Sequence, residues 1–284
     1  MAESKTDVTI SLHSLQDCTV LITGGSSGIG LALARLLAKA GAHVWLMARR
    51  KQELESALAQ LDGPTGQHHM LVGDVSDWAQ VEQAVAQVER ESGAPDLVIN
   101  SAGVTHPGYV QDLPIEIFRQ LMEINYMGTV HVVKAVLPGL MARRSGYIVN
   151  ISSVAGFLGV FGYTAYGASK FAVRGFSDAL RAELKPLGIG ISIAFPPDTD
   201  TPQLAYENEF KPAETQALAG NAGALSAAQV AEAILRGIRR GQYVILPGLE
   251  NKVMYRLSGL LGNAVYPIMD YLITGAHTRL DNVR

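Results

Sequence analysis

Cysteine is nearly absent from this 284-residue chain. Cys18 stands alone, which excludes an internal disulfide and a thiolate metal cluster. Its place at the head of an apolar run reads as a small buried side chain. Charge is scarce too, at 17% of residues against roughly 25% in an ordinary soluble domain. The formal net charge of −3 carries no basic excess that nucleic acid would attract, so no nucleic-acid partner is expected. The seven histidines show no metal-ligand spacing, and His68 and His69 fall in a loop-like stretch, so no metal is expected. No run of about 18 residues is both apolar and uncharged, the length a membrane-crossing helix requires. Residues 1–17 are polar and of mixed charge, without the apolar core of a secretory signal, so the expected location is cytoplasmic, in a reducing compartment.

What is abundant is apolar surface, 48% of residues. A parallel sheet covered by helices on both faces is the simplest structure that buries so much. Short β-branched runs (Thr19–Thr23, Ala42–Ala48, His69–Val72, Leu97–Asn100, Gly146–Ser152, Gly190–Phe195) alternate with helical periods at Leu31–Ala40, Gln52–Leu61, Trp78–Glu91, Pro114–Met141 and Tyr163–Leu187. A further helix, Ala227–Arg239, precedes a last strand, Tyr243–Leu246. The expected fold class is therefore α/β: a Rossmann-type, doubly wound parallel sheet of about seven strands with helices on both faces. No linker or repeat interrupts it, so residues 1–284 read as one domain with its core at 17–200. Two regions leave the winding. Residues 196–223 are expected to form a loop and short helices over the crevice, and 252–274 is an apolar segment carrying Arg256 and Asp270 and broken by Pro267.

The first strand runs into Thr23-Gly24-Gly25-Ser26-Ser27-Gly28-Ile29-Gly30 and then a helix. Such a turn brings backbone N–H groups and the positive end of a helix dipole to a pyrophosphate. A glycine pattern alone is compatible with an ordinary tight turn; the strand–turn–helix context points Gly24, Ser26, Ser27, Gly28, Ile29 and Gly30 to a dinucleotide. After the second strand stands Ala48-Arg49-Arg50-Lys51, with no carboxylate to accept from a ribose 2′-hydroxyl. Arg49 and Arg50 instead suit a 2′-phosphate, which makes NADPH the expected cofactor. Asp74 and Val75 follow the third strand, as an adenine contact or as part of a helix-capping turn. Asn100, Ala102 and Gly103 end the fourth strand with the small side chains that close cofactor approach needs.

Tyr166 and Lys170 lie four apart, on one helical face, so an ammonium is expected to acidify a phenol and fit it for general acid catalysis at a carbonyl oxygen. Ser153 closes the fifth strand, where its hydroxyl can bond the substrate oxygen, whereas Ser152 alternates to the other side. Asn125 interrupts a long apolar helix, as a helix-bend residue or as part of a relay.

The glycine turn, the Asn100–Gly103 element, Asn125, Ser153 and the Tyr166/Lys170 pair, in this order and spacing from about Thr19 to Thr201, resemble the short-chain dehydrogenase/reductase family. The resemblance implies that Tyr166 and Lys170 also contact the cofactor, Lys170 at the nicotinamide ribose hydroxyls, and that Asn125 steadies a water relay. It adds Pro196, Thr199 and Thr201 to the cofactor contacts, with Thr201 on the carboxamide. Ser101 departs from the family's usual second asparagine, and Pro196-Pro197 from its usual Pro-Gly. Pro196-Pro197-Asp198-Thr199-Asp200-Thr201-Pro202, Glu207-Asn208 and the 211–215 stretch are similar to the branch that reduces 3-ketodihydrosphingosine (3-ketosphinganine). Relatives often carry a lysine where this chain has Glu53. The implied substrate is a long-chain 3-keto amino alcohol, reduced to sphinganine in sphingolipid synthesis. Phe157–Phe161 reads as the start of a chain-binding surface or as core, and Asp198 and Asp200 as partners of the substrate ammonium or as loop caps.

For the apolar C-terminal segment, membrane-surface docking, a dimer contact and plain core all stay open. Docking would make the protein peripheral on the cytosolic face of a membrane. Family habit implies a homodimer or homotetramer through the helices flanking the fifth strand. Two rivals remain: a broad carbonyl or hydroxysteroid-type reductase, and a non-catalytic NADP(H)-sensing protein. An intact Ser-Tyr-Lys set argues against the sensor, which has no need of a proton donor.

Overall fold

A computed structural model describes residues 15–64, 66–219 and 223–281. Residues 1–14, where no signal is expected, and 220–222 of the expected crevice loop lie outside them. Strands β1 (Thr19–Thr23), β2 (His43–Ala48), β3 (His69–Val72), β4 (Leu97–Asn100), β5 (Tyr147–Ile151) and β6 (Gly190–Ala194) form the sheet with β9 (Val244–Ile245). Every pairing is parallel, in the order β3-β2-β1-β4-β5-β6-β9. The order reverses between β1 and β4, which opens a crevice beyond the carboxyl ends of the strands.

Most of the helices are where hydrophobic period put them. Leu33, Ala34 and Leu37 bury one stripe of α1 (Gly28–Lys39), and Val230, Ile234 and Ile238 one stripe of α9 (Ala227–Arg239). Both stripes meet Val20, Ile22, Val44 and Leu46, while the alternating Leu21, Trp45 and Met47 face the opposite layer. That layer is α3 (Trp78–Ser92), α5 (Gly128–Arg143) and α6 (Thr164–Leu184). A short α2 (Lys51–Leu58) links β2 to β3. The first face is closed at α9 by a capping box, in which Ser226 and Gln229 each satisfy the other's backbone N–H.

Three departures from expectation matter. The helix expected over Pro114–Met141 is α4 (Ile115–Leu121) joined to α5 by a π-helical turn, Met122–Met127. The wider turn rotates Asn125 inward, where it is 1% exposed. The crevice segment is pinned at both ends by a small parallel pair, β7 (Thr199–Asp200) with β8 (Leu225–Ser226), and carries α7 (Pro202–Phe210) and α8 (Ala213–Ala219) between them. The C-terminal segment breaks not at Pro267 but at Gly262, whose φ of +51° ends α10 (Leu249–Leu261) before α11 (Val265–Asp281) begins. Pro267 falls in the first turn of α11, where a missing N–H leaves no helical bond unmade.

Candidate active site

The glycine turn owes its course to the lack of side chains. Gly24 has φ +66°, and a Cβ there would stand 2.7 Å from the Cα and N of Ala102 at the end of β4. A Cβ at Gly30 would collide with the Gly24 carbonyl. The chain thus passes tightly from β1 into α1, whose N-cap Ser27 makes no side-chain cap and whose first turn holds no acidic residue. An uncapped helix start with glycine at positions 28 and 30 and no acidic side chain suits an anion.

From this turn a cavity of about 1180 Å³ runs along the carboxyl edge of the sheet. That exceeds the roughly 300–1,000 Å³ of most small-molecule sites, leaving room for a dinucleotide beside a second molecule. Gly24, Ser26, Ser27, Gly28, Ile29, Arg49, Arg50, Asp74, Val75, Ala102, Gly103, Ser153, Tyr166, Lys170, Pro196, Thr199 and Thr201 all line it. Three expected site residues do not. Gly30 packs under Gly24. Asn100 spends its amide on Asn150 of β5, at 2.9 Å, because the two are register partners on adjacent central strands. Asn125 is a brace: it accepts from the Val104 N–H at 2.8 Å and donates to the Val104 carbonyl and the Ser169 hydroxyl, both at 2.9 Å.

At the basic end, Arg49 lies 3.7 Å from Asp74, whereas Arg50 is drawn to Glu53 at 2.9 Å and Lys51 to Glu55 at 3.6 Å. Between the two readings of Asp74, the helix cap falls to Asp77, which accepts from Gln80. Asp74 instead closes a turn onto Ser76 and keeps its other oxygen toward Arg49.

At the catalytic end, Ser152 turns away and donates to the Lys170 carbonyl at 3.0 Å. Ser153 caps a short 3₁₀ turn through Ala155 N–H and stays within hydrogen-bonding reach of the Tyr166 phenol. The Lys170 Nζ sits 5.6 Å from the Tyr166 ring centre and donates to the Ile151 carbonyl at 3.1 Å.

The expected acidification of Tyr166 is not what the surrounding side chains produce. Burial drives the phenol above its ordinary value and Glu207 adds to the rise; hydrogen bonds from Ser153 and Gln203 oppose it. Lys170 is not among the principal influences on the phenol, and burial pulls its own ammonium down to about 8. Tyr166 is therefore fully protonated near neutral pH, the form that a proton donor needs.

Glu207 and Gln203 of α7 and Tyr163, at the N-cap of α6, complete this end. The expected partners of a substrate amine fare differently. Asp198 is held by Lys211 at 3.0 Å, and Asp200 is exposed in β7. Gln203, Glu207 and Lys211 are spaced by four, a signal of one helical face that would have singled them out. Phe157 is core, stacked edge-on against Phe195 and Tyr255, whereas Leu158, Val160 and Phe161 line the cavity with Met254, Met269 and Leu272 from the C-terminal helices.

Residues 18–212 match the family described as short chain dehydrogenase. The 3-ketodihydrosphingosine reductase of Bos taurus is 40% identical over 81% of this chain and 71% of its own length. Among solved structures, a short-chain dehydrogenase/reductase from Burkholderia phymatum in complex with NAD superposes with a TM-score of 0.78 at 25% identity, covering 87% of this chain and 95% of that one. An actinorhodin polyketide ketoreductase variant with NADPH gives a TM-score of 0.73 at 30% identity, covering 80% and 94%. With the parallel sheet, the glycine turn and the Ser153, Tyr166 and Lys170 side chains gathered at one end of the cavity, this chain belongs to the short-chain dehydrogenase/reductase family.

Proposed function

We propose that this oxidoreductase reduces the 3-keto group of 3-ketodihydrosphingosine to sphinganine, with NADPH as its nicotinamide cofactor. The observation that carries the reading is the continuity of the cavity, from the glycine turn through Tyr166 to an apolar wall of Leu158, Val160, Phe161, Met254, Met269 and Leu272. A long alkyl chain gains about 0.8 kcal/mol for each CH₂ it buries, so such a wall favours a lipid ketone over a short one. The Bos taurus relative bears the name of that reductase. When bound, the dihydronicotinamide supplies the hydride to the ketone carbon. Tyr166 gives its proton to the oxygen, Ser153 holds that oxygen, and Lys170, fixed on the Ile151 carbonyl, keeps the site cationic beneath the phenol.

Arg49, exposed at 56% and uncommitted beyond its 3.7 Å approach to Asp74, supports NADPH over NADH. Kinetics on 3-ketosphinganine with both cofactors test substrate and cofactor together. Arg49→Ala is expected to raise KM for NADPH roughly 10- to 100-fold, the size of a charge-assisted hydrogen bond, and to leave KM for NADH nearly unchanged. Faster turnover of short ketones would remove the lipid assignment, and equal KM shifts for both cofactors would remove Arg49 from phosphate recognition.

We further propose that the protein works at the cytosolic face of a membrane, docked by its C-terminal helices, and that copies associate through α5 and α6. No helix among the described residues is long and apolar enough to cross a bilayer. In support of docking, Leu260 is 84% exposed and Tyr271 79%, on the helices that also wall the cavity. Exposed Met141 and Phe171 support association. In liposome flotation the wild-type chain is expected to rise with the vesicles and the Leu260→Glu/Tyr271→Glu double variant to stay behind. Flotation of both, or of neither, would contradict docking through these side chains.

A further inference from the structure

We propose that the Glu207 carboxylate receives the substrate's ammonium, the group on the carbon beside the ketone. The inference rests on the reductase reading above and names the residue by which that site would choose an amino ketone.

Glu207 is brought to the cavity by α7, a helix started by the Thr201 side chain, which accepts from Leu204 N–H, and by Pro202 at its first position. It is only 7% exposed, yet it lines the cavity. Oε2 accepts the Tyr163 hydroxyl at 2.7 Å, while among the described residues Oε1 holds only a long 3.3 Å contact from Gln203. A carboxylate oxygen offers two lone pairs, so Oε1 keeps accepting capacity toward the cavity. The nearest cation does not satisfy it. Lys211 lies 4.0 Å from Oε2 but 3.0 Å from Asp198, to which it is committed. Two carboxylates thus share one ammonium, and Lys170 is bound to the Ile151 carbonyl.

The placement also fits. The Tyr163 and Tyr166 rings are 5.8 Å apart, and Gln203 reaches both the Tyr166 phenol and Glu207. The carboxylate and the proton donor therefore face the same end of the cavity and share Gln203 as a neighbour. Burial raises the Glu207 carboxyl above the usual carboxylate range, with Tyr163, Gln203 and Lys211 opposing and Asp198 reinforcing the rise. An incoming ammonium would offset the desolvation of a buried anion, a gain that a neutral ligand cannot supply.

The competing role is a brace, in which Glu207 merely ties α7 to Tyr163. Two ketones of equal chain length separate them: the 2-amino-3-ketone, and the same molecule with hydrogen in place of the amine. With NADPH present, the wild-type protein is expected to favour the amine-bearing ketone at least tenfold in kcat/KM. Glu207→Gln, which is isosteric, is expected to lower kcat/KM for that ketone roughly 10- to 100-fold relative to the other, the size of one charge-assisted hydrogen bond, because any change it makes to the Tyr166 phenol is common to both ketones. Tyr163→Phe deletes the brace bond and keeps the carboxylate, so the preference should survive it. Equal losses on both ketones in Glu207→Gln, or loss of preference in Tyr163→Phe, would establish the brace and overturn the ammonium site. A wild-type enzyme that reduces both ketones equally overturns it too, while the reductase reading stands. If neither ketone is reduced, the reductase reading fails and the site falls with it.

Discussion

Tyr166→Phe is expected to lower kcat on the preferred ketone by roughly a thousandfold, within the roughly 10²–10⁴ that positioned proton transfer contributes. Dinucleotide affinity should change by less than about threefold, since the glycine turn and Arg49 lie at the other end of the cavity. The substitution removes one oxygen and little packing. The Tyr166 ring keeps its contact with Tyr163, 5.8 Å between centres, and with the cluster that includes Leu121 and Ala165. What disappears is a hydroxyl within reach of Ser153 and Gln203, so kcat should fall with KM nearly constant. Its described neighbours are poor substitutes: Ser153 is a poorer acid, the Lys170 ammonium is turned to the Ile151 carbonyl, and the Tyr163 hydroxyl is given to Glu207. Stopped-flow turnover together with a fluorescence titration of NADPH reads both quantities. Turnover within tenfold of wild type would transfer the proton donor to another group.

Asn125→Ala should give the largest loss of stability among the site variants. Its side chain makes three hydrogen bonds, two to the Val104 backbone after β4 and one to Ser169 on α6, all in a position 1% exposed. Truncation leaves the part-buried Val104 N–H and carbonyl without their protein partner, each at a cost of about 1–3 kcal/mol, or about 3 kcal/mol in all. Unfolding entropy of roughly 2.1 cal/mol/K per residue converts that to a Tm lowered by about 5 °C. Because Ser169 in turn donates to the Tyr166 carbonyl at 2.7 Å, the loss should also loosen the catalytic helix and depress kcat. Differential scanning calorimetry checks the first effect. An unchanged Tm would mean that water or a rearranged π turn replaces the brace.

How far the site could be read in advance differs residue by residue. The glycine turn was legible because its spacing reflects one local need, a backbone that clears Ala102 on its way into α1. Tyr166 and Lys170 were legible as one helical face, but the sign of the phenol's shift was not, since it depends on burial and on Glu207, 41 positions away on α7. Asn100 and Asn125 stood out as polar residues among apolar ones. Their partners Asn150 and Ser169 come from other elements, so a brace and a cavity residue looked alike. Arg49 and Arg50 were equivalent as neighbours on paper, until Glu53 one turn further along α2 drew Arg50 to itself.

By itself, the amino-acid sequence determined the winding: seven parallel strands, the helices between them and the glycine turn. Each follows from periodicities and backbone freedoms that act over a few residues. Only the tertiary structure decided which carboxylate stands beside Tyr166, that Asp198 is occupied by Lys211, and that Asn125 braces rather than lines the cavity. Those outcomes depend on desolvation and on contacts between distant elements, and both come into being only when the layers pack.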